Sequence, residues 1–550
     1  MMKNSRNIFI LFILICSSLA LESCKDLSEI NENPNGLTID NANVNLILPT
    51  VLTETAKIYN DLGYGRAAGI MQHTQKDAWS GSHNGIEWGP EDWGGYYNIL
   101  RNNQAVYDVA VENDLRFHQG VALVMKSFVF GQIADLWGDA PYTNALNGDL
   151  GGNENLLPVY DSQETIYNGV IADLKEASQL LSLPKGEYRQ VLDEADVFFN
   201  GDPAKWQKFA NSLLLRYLMR VSLKKDVQSD FASVAQGGNL ILSNEDNVYM
   251  SFLGNTSGDA WPNNADPAFD GTNGSNYRRI KACETLVDAL REKNDPRIGV
   301  WFETIEVPSQ FLTEEQKGTI NHLEVVEGVR YLDREFLTSE GTISNVSVNP
   351  NYVGAPPQLQ STHGFNLNTA PAQSSINPYV SFLNERYKEA SGPLLRARLM
   401  TAAEVNFLLA EAAQKGWING AENYYNEGVT ASMEEWGVAD NVSDYLAQEN
   451  VSFDGSLEQI IEQKWIASWT AAQEAWYDYR RTGLPELEMG PFSPRPVFPL
   501  RFIYGNNELN FNQANASTAI DRLELTNFSQ NDKNSPWSKT WLIAGTGKPY

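Results

Sequence analysis

Ile461, Trp465, Trp469, Ala472 and Trp476 are spaced 4, 4, 3 and 4 residues apart, so on an α-helix they share one face. Three indole rings on one stripe carry too much apolar surface to be left in water, and the stripe reads as a packed core face. The ends of the segment agree with that reading. Ser456 and Gln459 form a capping box, and Gly483 followed by Pro485 supplies the stop. The spacing predicts one helix over 456–482. A second pattern carries Val405, Leu408, Leu409 and Ala412, stops at Gly416, and restarts at Ala421 through Tyr425, Val429 and Met433 to Trp436. This is a two-helix unit of about 34 residues, in which Ala410, Ala413, Ala421 and Gly428 are small enough for close helix approach, as in tetratricopeptide repeats. Further pairs can be drawn between 119–137 and 165–181, and between 205–221 and a helix near 280–290. Period-two alternation is scarce. The expected fold is mostly α, built from tetratricopeptide-like helix pairs separated by long insertions.

Four long irregular segments interrupt the helices, at 73–95, 138–158, 254–276 and 344–378, and stretches of this length in a packed protein are usually functional. The first holds Trp79, Ser82, His83, Asn84, Glu87, Trp88 and Trp93. The third holds Trp261, Asn263, Asn264, Asp266, Asp270, Asn273 and Asn276, and Tyr277 follows it. Flat aromatic rings beside amides and carboxylates suit a sugar, whose C–H faces stack on indole or phenol while its hydroxyls take hydrogen bonds. Signatures of catalysis are missing. The five histidines form no HExxH, and there is no CxxC, Walker A loop, GxSxG elbow or EF-hand loop. Gly63-Tyr64-Gly65-Arg66-Ala67-Ala68 matches a dinucleotide fingerprint on paper, but 52–62 reads as helix where that motif needs a strand, so the glycines read as a helix break. Asp266 and Asp270 before Gly271 lack the spacing of a calcium loop. A glycosidase needs only two carboxylates at the right separation, and 69 acidic residues leave hydrolysis open beside binding.

The 41 Lys and Arg set against 69 Asp and Glu give a net charge of −28, which repels a phosphate backbone and argues against a nucleic-acid partner. An anionic membrane surface is disfavoured for the same reason unless the chain is held there covalently. The N-terminus supplies such a hold. Lys3 and Arg6 precede an apolar run, Ile8–Ala20, of 13 residues, too short to span about 30 Å of hydrocarbon and therefore read as a signal peptide over 1–23. It ends in Leu21-Glu22-Ser23-Cys24, which resembles the lipobox at which bacterial lipoproteins are cleaved and acylated. Of the other two cysteines, Cys16 lies within the signal and Cys283 is alone in the body of the chain, so no intrachain disulfide is expected and the fold rests on its core. Asp26, Glu29 and Glu32, followed by Asn-, Pro- and Gly-rich sequence, make 24–44 an acidic tether. Residues 45–550 are expected to form a single domain, with irregular insertions at about 230–400 and 485–550.

Several segments, taken in order, resemble the SusD/RagB family of outer-membrane nutrient-binding lipoproteins, and its SusD-like subgroup in particular, over almost the whole chain. They are Cys24 with Glu29-Ile30-Asn31-Glu32-Asn33-Pro34-Asn35; Trp93 with Tyr97 and Asn102-Asn103; Gly138-Asp139-Ala140-Pro141-Tyr142; Asn200-Gly201-Asp202; and Lys205-Trp206 with Phe209-Ala210-Asn211-Ser212-Leu213. Further on come Leu408-Leu409-Ala410-Glu411-Ala412, Gln463-Lys464-Trp465-Ile466, Glu474-Ala475-Trp476, Arg480-Arg481-Thr482-Gly483, and Arg501 with Tyr504, Glu508 and Asn510. The resemblance implies a SusD-like α/α superhelix with a loop-rich ligand-binding half and lipidation at Cys24. It also implies an outer-membrane location facing the cell exterior, and a SusC-like TonB-dependent transporter as partner. The ligand it implies is a nutrient, an oligosaccharide or in some members a peptide, captured without catalysis and without a cofactor or metal. Trp93, Trp206, Arg480 and Arg481 are then expected to hold the fold. In related proteins the ligand lies against the loop between the first two helices and against loops of the irregular half, which singles out Trp79, Asn84, Trp88, Trp261, Asn263 and Tyr277.

Overall fold

The computed structural model describes residues 43–77, 80–262, 276–359, 362–369, 377–490 and 493–550. Cys24 and the proposed signal and tether up to residue 42 lie outside them, as do Trp79 and Asn263. Residues 44–550 form one compact unit.

Helix α1 (Val44–Tyr64) buries Val44, Leu48, Val51, Leu52, Ala56, Tyr59 and Gly63, a stripe with steps of three and four widened by the adjacent Val51 and Leu52. Helix α2 (Gly94–Glu112) buries Tyr96, Ile99, Leu100, Asn103 and Val106 in the same way and lies on α1. Helix α3 (Arg116–Trp137) is apolar nearly all round and buried nearly all round, packed between α2 and α4 (Gln163–Leu180). It is long and apolar enough to cross a membrane, yet its surface is spent inside the fold as a central core helix. Close approach is built into these crossings. A Cβ on Gly120 would lie 2.6 Å from Leu181, and one on Gly131 would lie 2.0 Å from the Tyr217 hydroxyl.

Helix α5 (Pro203–Val221) begins at Asp202, whose carboxylate accepts from the backbone N–H of Ala204 at 2.9 Å, with Pro203 in the first turn. It packs on α4 and on α7 (Ala402–Gln414), not on α6 (Glu284–Glu292), the helix that the spacing paired with it. The reason lies in charge placement. Arg216 on α5 grips Glu404 on α7 through two hydrogen bonds of 2.7 Å, a long-range pairing that periodicity does not encode. The α7/α8 pair (α8, Ala421–Glu435) forms where the spacing places it, with Gly428 against the Phe407 ring. The pairs over 119–137 and 165–181 are likewise present as α3 and α4.

The tryptophan stripe is buried as expected, but on two helices. Helix α9 (Leu457–Ala467) starts at Ser456, whose hydroxyl accepts from the N–H of Gln459 at 3.1 Å, and α10 (Ala472–Thr482) ends at Gly483 with φ +83°. Between them Thr470 takes φ +72°, outside the helical region. The break is permitted by Gly63 on α1, where any Cβ would lie 2.6 Å from the Thr470 carbonyl oxygen. Breaking the helix lets Trp469 stack on Trp301, with centroids 5.2 Å apart at 17°, while Trp476 meets Trp88 edge-on at 5.2 Å.

Buried ion pairs join the helices. Glu474 on α10 accepts from Tyr59 on α1 at 2.9 Å and from Arg220 on α5 at 2.6 Å. Arg480 donates to the Asp135 carbonyl of α3 at 2.6 Å, and Arg481 is held between Glu411 of α7 and Asp478. Trp206 donates to Asp196 at 2.7 Å and Trp93 to Glu508 at 3.1 Å, so all four residues assigned a structural role make internal bonds.

Strands are short. Among those described, β1 (Thr74–Lys76) pairs antiparallel with β3 (Ile280–Ala282), and β2 (Val248–Ser251) pairs antiparallel with β4 (Arg396–Met400). The first of these ladders positions the candidate site.

Candidate ligand-binding site

The β1/β3 ladder runs Thr74 with Ala282, Gln75 with Lys281 and Lys76 with Ile280, and it gathers the irregular segments that the sequence leaves far apart. It extends through the N–H of Asp77 to the Arg279 carbonyl at 2.9 Å and the N–H of Cys283 to the His73 carbonyl at 3.1 Å. From the 344–378 segment, the N–H of Ala355 bonds the Ala282 carbonyl at 2.8 Å and the N–H of Gln358 bonds the Gln75 side chain at 3.0 Å. A later stretch joins them, since Gln72 donates to the Glu488 carbonyl at 2.7 Å and Gly490 donates to Gln358 at 2.9 Å. The chain on either side of Trp79, the chain after 263–275, and the 355–359 and 488–490 stretches therefore meet at one ladder.

Charge sits beneath it. Asp77, Arg279 and Lys281 are all buried, with Asp77 lying 3.4 Å from the Arg279 guanidinium and 3.7 Å from the Lys281 ammonium. The Lys281 ammonium also lies 3.2 Å from the centroid of the Phe382 ring, a cation–π contact that fixes the 377–383 segment to β3. Removing one partner from such a buried set leaves an uncompensated charge. Sequence reasoning missed this cluster. Its signal was the alternation of Arg279 and Lys281 on a short apolar run in an otherwise acidic chain, opposite the Lys76-Asp77 dipeptide.

Asn84 is a brace for these loops. Its carboxamide accepts from the N–H of Lys76 at 2.8 Å and donates to the carbonyls of Lys76 at 2.9 Å and Leu359 at 3.3 Å, and only 4% of the residue is exposed. His83 beside it contacts the Thr74 hydroxyl at 2.9 Å, and burial together with the neighbouring Lys76 cation pushes its pKa down to about 3. Burial also lowers Lys76 from its ordinary value. Cys283 is buried and its thiol is pushed up to about 12, so it is inert at neutral pH.

The aromatic residues singled out in the sequence divide by place. Tyr277 comes to the ladder but is 4% exposed, with its hydroxyl on the Leu383 carbonyl at 2.7 Å. Trp88 lies away from it, edge-on to Trp476 and to Phe502 at 5.1 Å, with its indole N–H on the Gly85 carbonyl. Trp261 is fully buried against Tyr64 at 4.9 Å, Phe252 at 5.5 Å and Tyr387 at 6.0 Å. Asn84, Trp88, Trp261 and Tyr277 thus spend their contacts on the interior and present no open ring face or amide to solvent. Among the described residues no group of three or more His, Cys, Asp or Glu is arranged to hold a metal ion; Asp266 and Asp270 lie outside that set.

A family model for SusD-like proteins, described as "Starch-binding associating with outer membrane", matches residues 34–505, and the chain belongs to this family. Among solved structures, a SusD homologue from Bacteroides fragilis superposes with a TM-score of 0.67 at 22% identity, covering 91% of this chain and 99% of that one. A candidate nutrient-binding outer-membrane protein from Bacteroides vulgatus gives 0.69 at 22%, covering 91% and 100%. A chitin-binding protein gives 0.68 at 23%, covering 91% and 99%. At these identities the likeness carries the fold. Among curated proteins none matches the chain.

Proposed function

We propose that this chain is a non-catalytic capture protein of the outer membrane, acylated at Cys24, facing the cell exterior, and delivering an oligosaccharide to a SusC-like TonB-dependent transporter. The observation that carries the reading is the match of residues 34–505 to a family described by starch binding and outer-membrane association. The convergence of the irregular segments on the β1/β3 ladder agrees with it, because it brings the chain that flanks residue 79 and the chain that follows residue 275 to one place. Trp79 and Asn263, both outside the described residues, are the ligand contacts we assign on sequence grounds. Capture followed by release needs only modest affinity, a Kd between about 1 μM and 1 mM, or roughly −8 to −4 kcal/mol.

The test is calorimetry of the full chain in detergent against malto-oligosaccharides, chito-oligosaccharides and short extended peptides, with mass spectrometry of the same samples. Glycan binding with no cleaved product is the expected result. Cleavage would replace capture with hydrolysis, and binding of peptides alone would replace the ligand class. Trp79→Ala is expected to weaken glycan binding about tenfold, ~1.4 kcal/mol, with little change in Tm. Cys24→Ala is expected to remove the protein from the membrane fraction, and unchanged surface labelling of intact cells would contradict the anchor.

A further inference from the structure

Away from the β1/β3 ladder, the C-terminal end of α6 and the turn at 349–352 enclose an open groove of 660 Å³, within the roughly 300–1,000 Å³ of small-molecule clefts. Its walls are held before any ligand arrives. Asn349 accepts from the N–H groups of Asn351 and Tyr352, both at 2.9 Å, and the Asn351 carbonyl is pinned by the N–H of Ile305 at 2.9 Å. This leaves the Asn351 carboxamide exposed and the Tyr352 ring half-buried at the rim. On the other wall Asn294 sits at φ +45° with its amide on Gln448 at 3.0 Å, and Asn450 donates to the Glu292 carbonyl at 2.9 Å. Asp288 is already paired with Arg291 at 2.9 Å, so the pair adds polar edges with no net charge. Pro296 and Ile298, both half-buried, contribute apolar surface to the lining.

We propose that this groove is a second glycan-binding site that holds a short segment of a neutral oligosaccharide, with Tyr352 as the stacking ring and Asn351, Glu292 and the Asp288–Arg291 pair as partners for its hydroxyls. The lining supplies what a sugar chain requires: an aromatic face, apolar surface for C–H edges, and donors and acceptors in alternation. It is open to solvent, so a glycan can enter it from outside. Walls already fixed by hydrogen bonds spare the ordering entropy that would otherwise oppose a weak ligand. A second foothold on one chain turns the capture of a long glycan into a bivalent event, with affinity that rises with chain length.

This proposal rests on the capture reading, and the test separates the two. The full chain in detergent is titrated calorimetrically with maltoheptaose and with chitohexaose, in the wild type, in Trp79→Ala, and in Trp79→Ala combined with Tyr352→Ala or Asn351→Ala. Residual binding in Trp79→Ala that falls fivefold or more on adding either groove substitution, at unchanged Tm, supports the second site. Residual binding that both groove variants leave intact overturns it, and so does a single site abolished by Trp79→Ala, while the capture reading survives both results. Failure of the wild type to bind either glycan, or any glycan of the wider panel, overturns both.

Discussion

The roles of single residues here follow from what their polar atoms already touch. Asn84 satisfies the backbone N–H and C=O of Lys76 and reaches Leu359, so Asn84→Ala leaves buried backbone groups unpaired. A loss of about 1–3 kcal/mol in urea unfolding is expected, and any fall in ligand affinity should be recovered where Asn84→Asp or Asn84→Ser restores one bond. Trp261 is fully buried among Tyr64, Phe252 and Tyr387, so Trp261→Ala is expected to cost about 3–5 kcal/mol. A near-neutral Tm for that variant would mean that the ring is not core. Trp469, stacked on Trp301 with its N–H on the Tyr387 hydroxyl at 2.7 Å, should behave as Trp261 does. The contrast with Trp79→Ala, expected to act on binding and not on stability, separates ligand contacts from packing.

Pairing of helices depends on how closely their backbones approach, and glycine at a crossing sets that distance. A Cβ on Gly428 would sit 2.9–3.0 Å from three atoms of the Phe407 ring, closer than side chains tolerate. Gly428→Ala therefore pries α7 from α8 and is expected to cost about 1–3 kcal/mol by overpacking. Gly437→Ala serves as the control: a Cβ there meets no atom within 4 Å, although its φ of +77° carries a backbone penalty. A smaller loss at Gly428 than at Gly437 would show that the crossing has room to relax. The α9/α10 break belongs to the same scale. The 456–482 periodicity is satisfied by one straight helix, but Thr470 and Ala471 lie against Gly63 of α1, and this contact turns the chain.

Across the whole molecule, burial of histidine makes stability depend on pH. Burial drives the pKa of His73 down to about 3 and that of His118 to about 4, and burial with the Lys76 cation takes His83 to about 3. Each ring stays neutral in the fold but takes a proton when unfolded below about pH 6.5. The unfolded state therefore binds more protons, and stability falls as pH drops through the window from about 6.5 toward 3. The slope is at most about 1.4 kcal/mol per pH unit for each histidine. Asp478 extends the loss to more acid conditions: burial alone would raise its pKa, but Lys464 and Arg481 outweigh burial and hold the carboxylate well below its ordinary range, so its stabilisation is lost only below about pH 4. Tm measured from pH 7.5 to 4.5 should decline steadily, and His83→Gln should flatten the curve. Because the raised pKa values of buried carboxylates such as Asp135 and Asp196 act in the opposite sense, the discriminating result is the difference between chains: a pH dependence of Tm left unchanged by His83→Gln would contradict a buried neutral ring at that position.

The family resemblance pointed to the structural place of Trp93, Trp206, Arg480 and Arg481, while the sequence by itself determined the helical class, the α7/α8 unit, the cap at Ser456 and the stop at Gly483. Those features are local: a period of 3.6 residues, a side chain reaching three residues along, a glycine at positive φ. Tertiary structure alone decided that α5 answers to α7, because the Arg216–Glu404 pair joins residues far apart in the chain. It also decided that Trp88 and Trp261 are core, since a loop aromatic has no periodicity and its burial depends on partners such as Phe502 and Tyr387 that local spacing cannot supply. The candidate site follows the same division. The sequence marked its loops by their length and composition, whereas their meeting at one ladder over the Asp77, Arg279 and Lys281 charges required the fold, because strand pairing and buried charge balance are set by long-range contact.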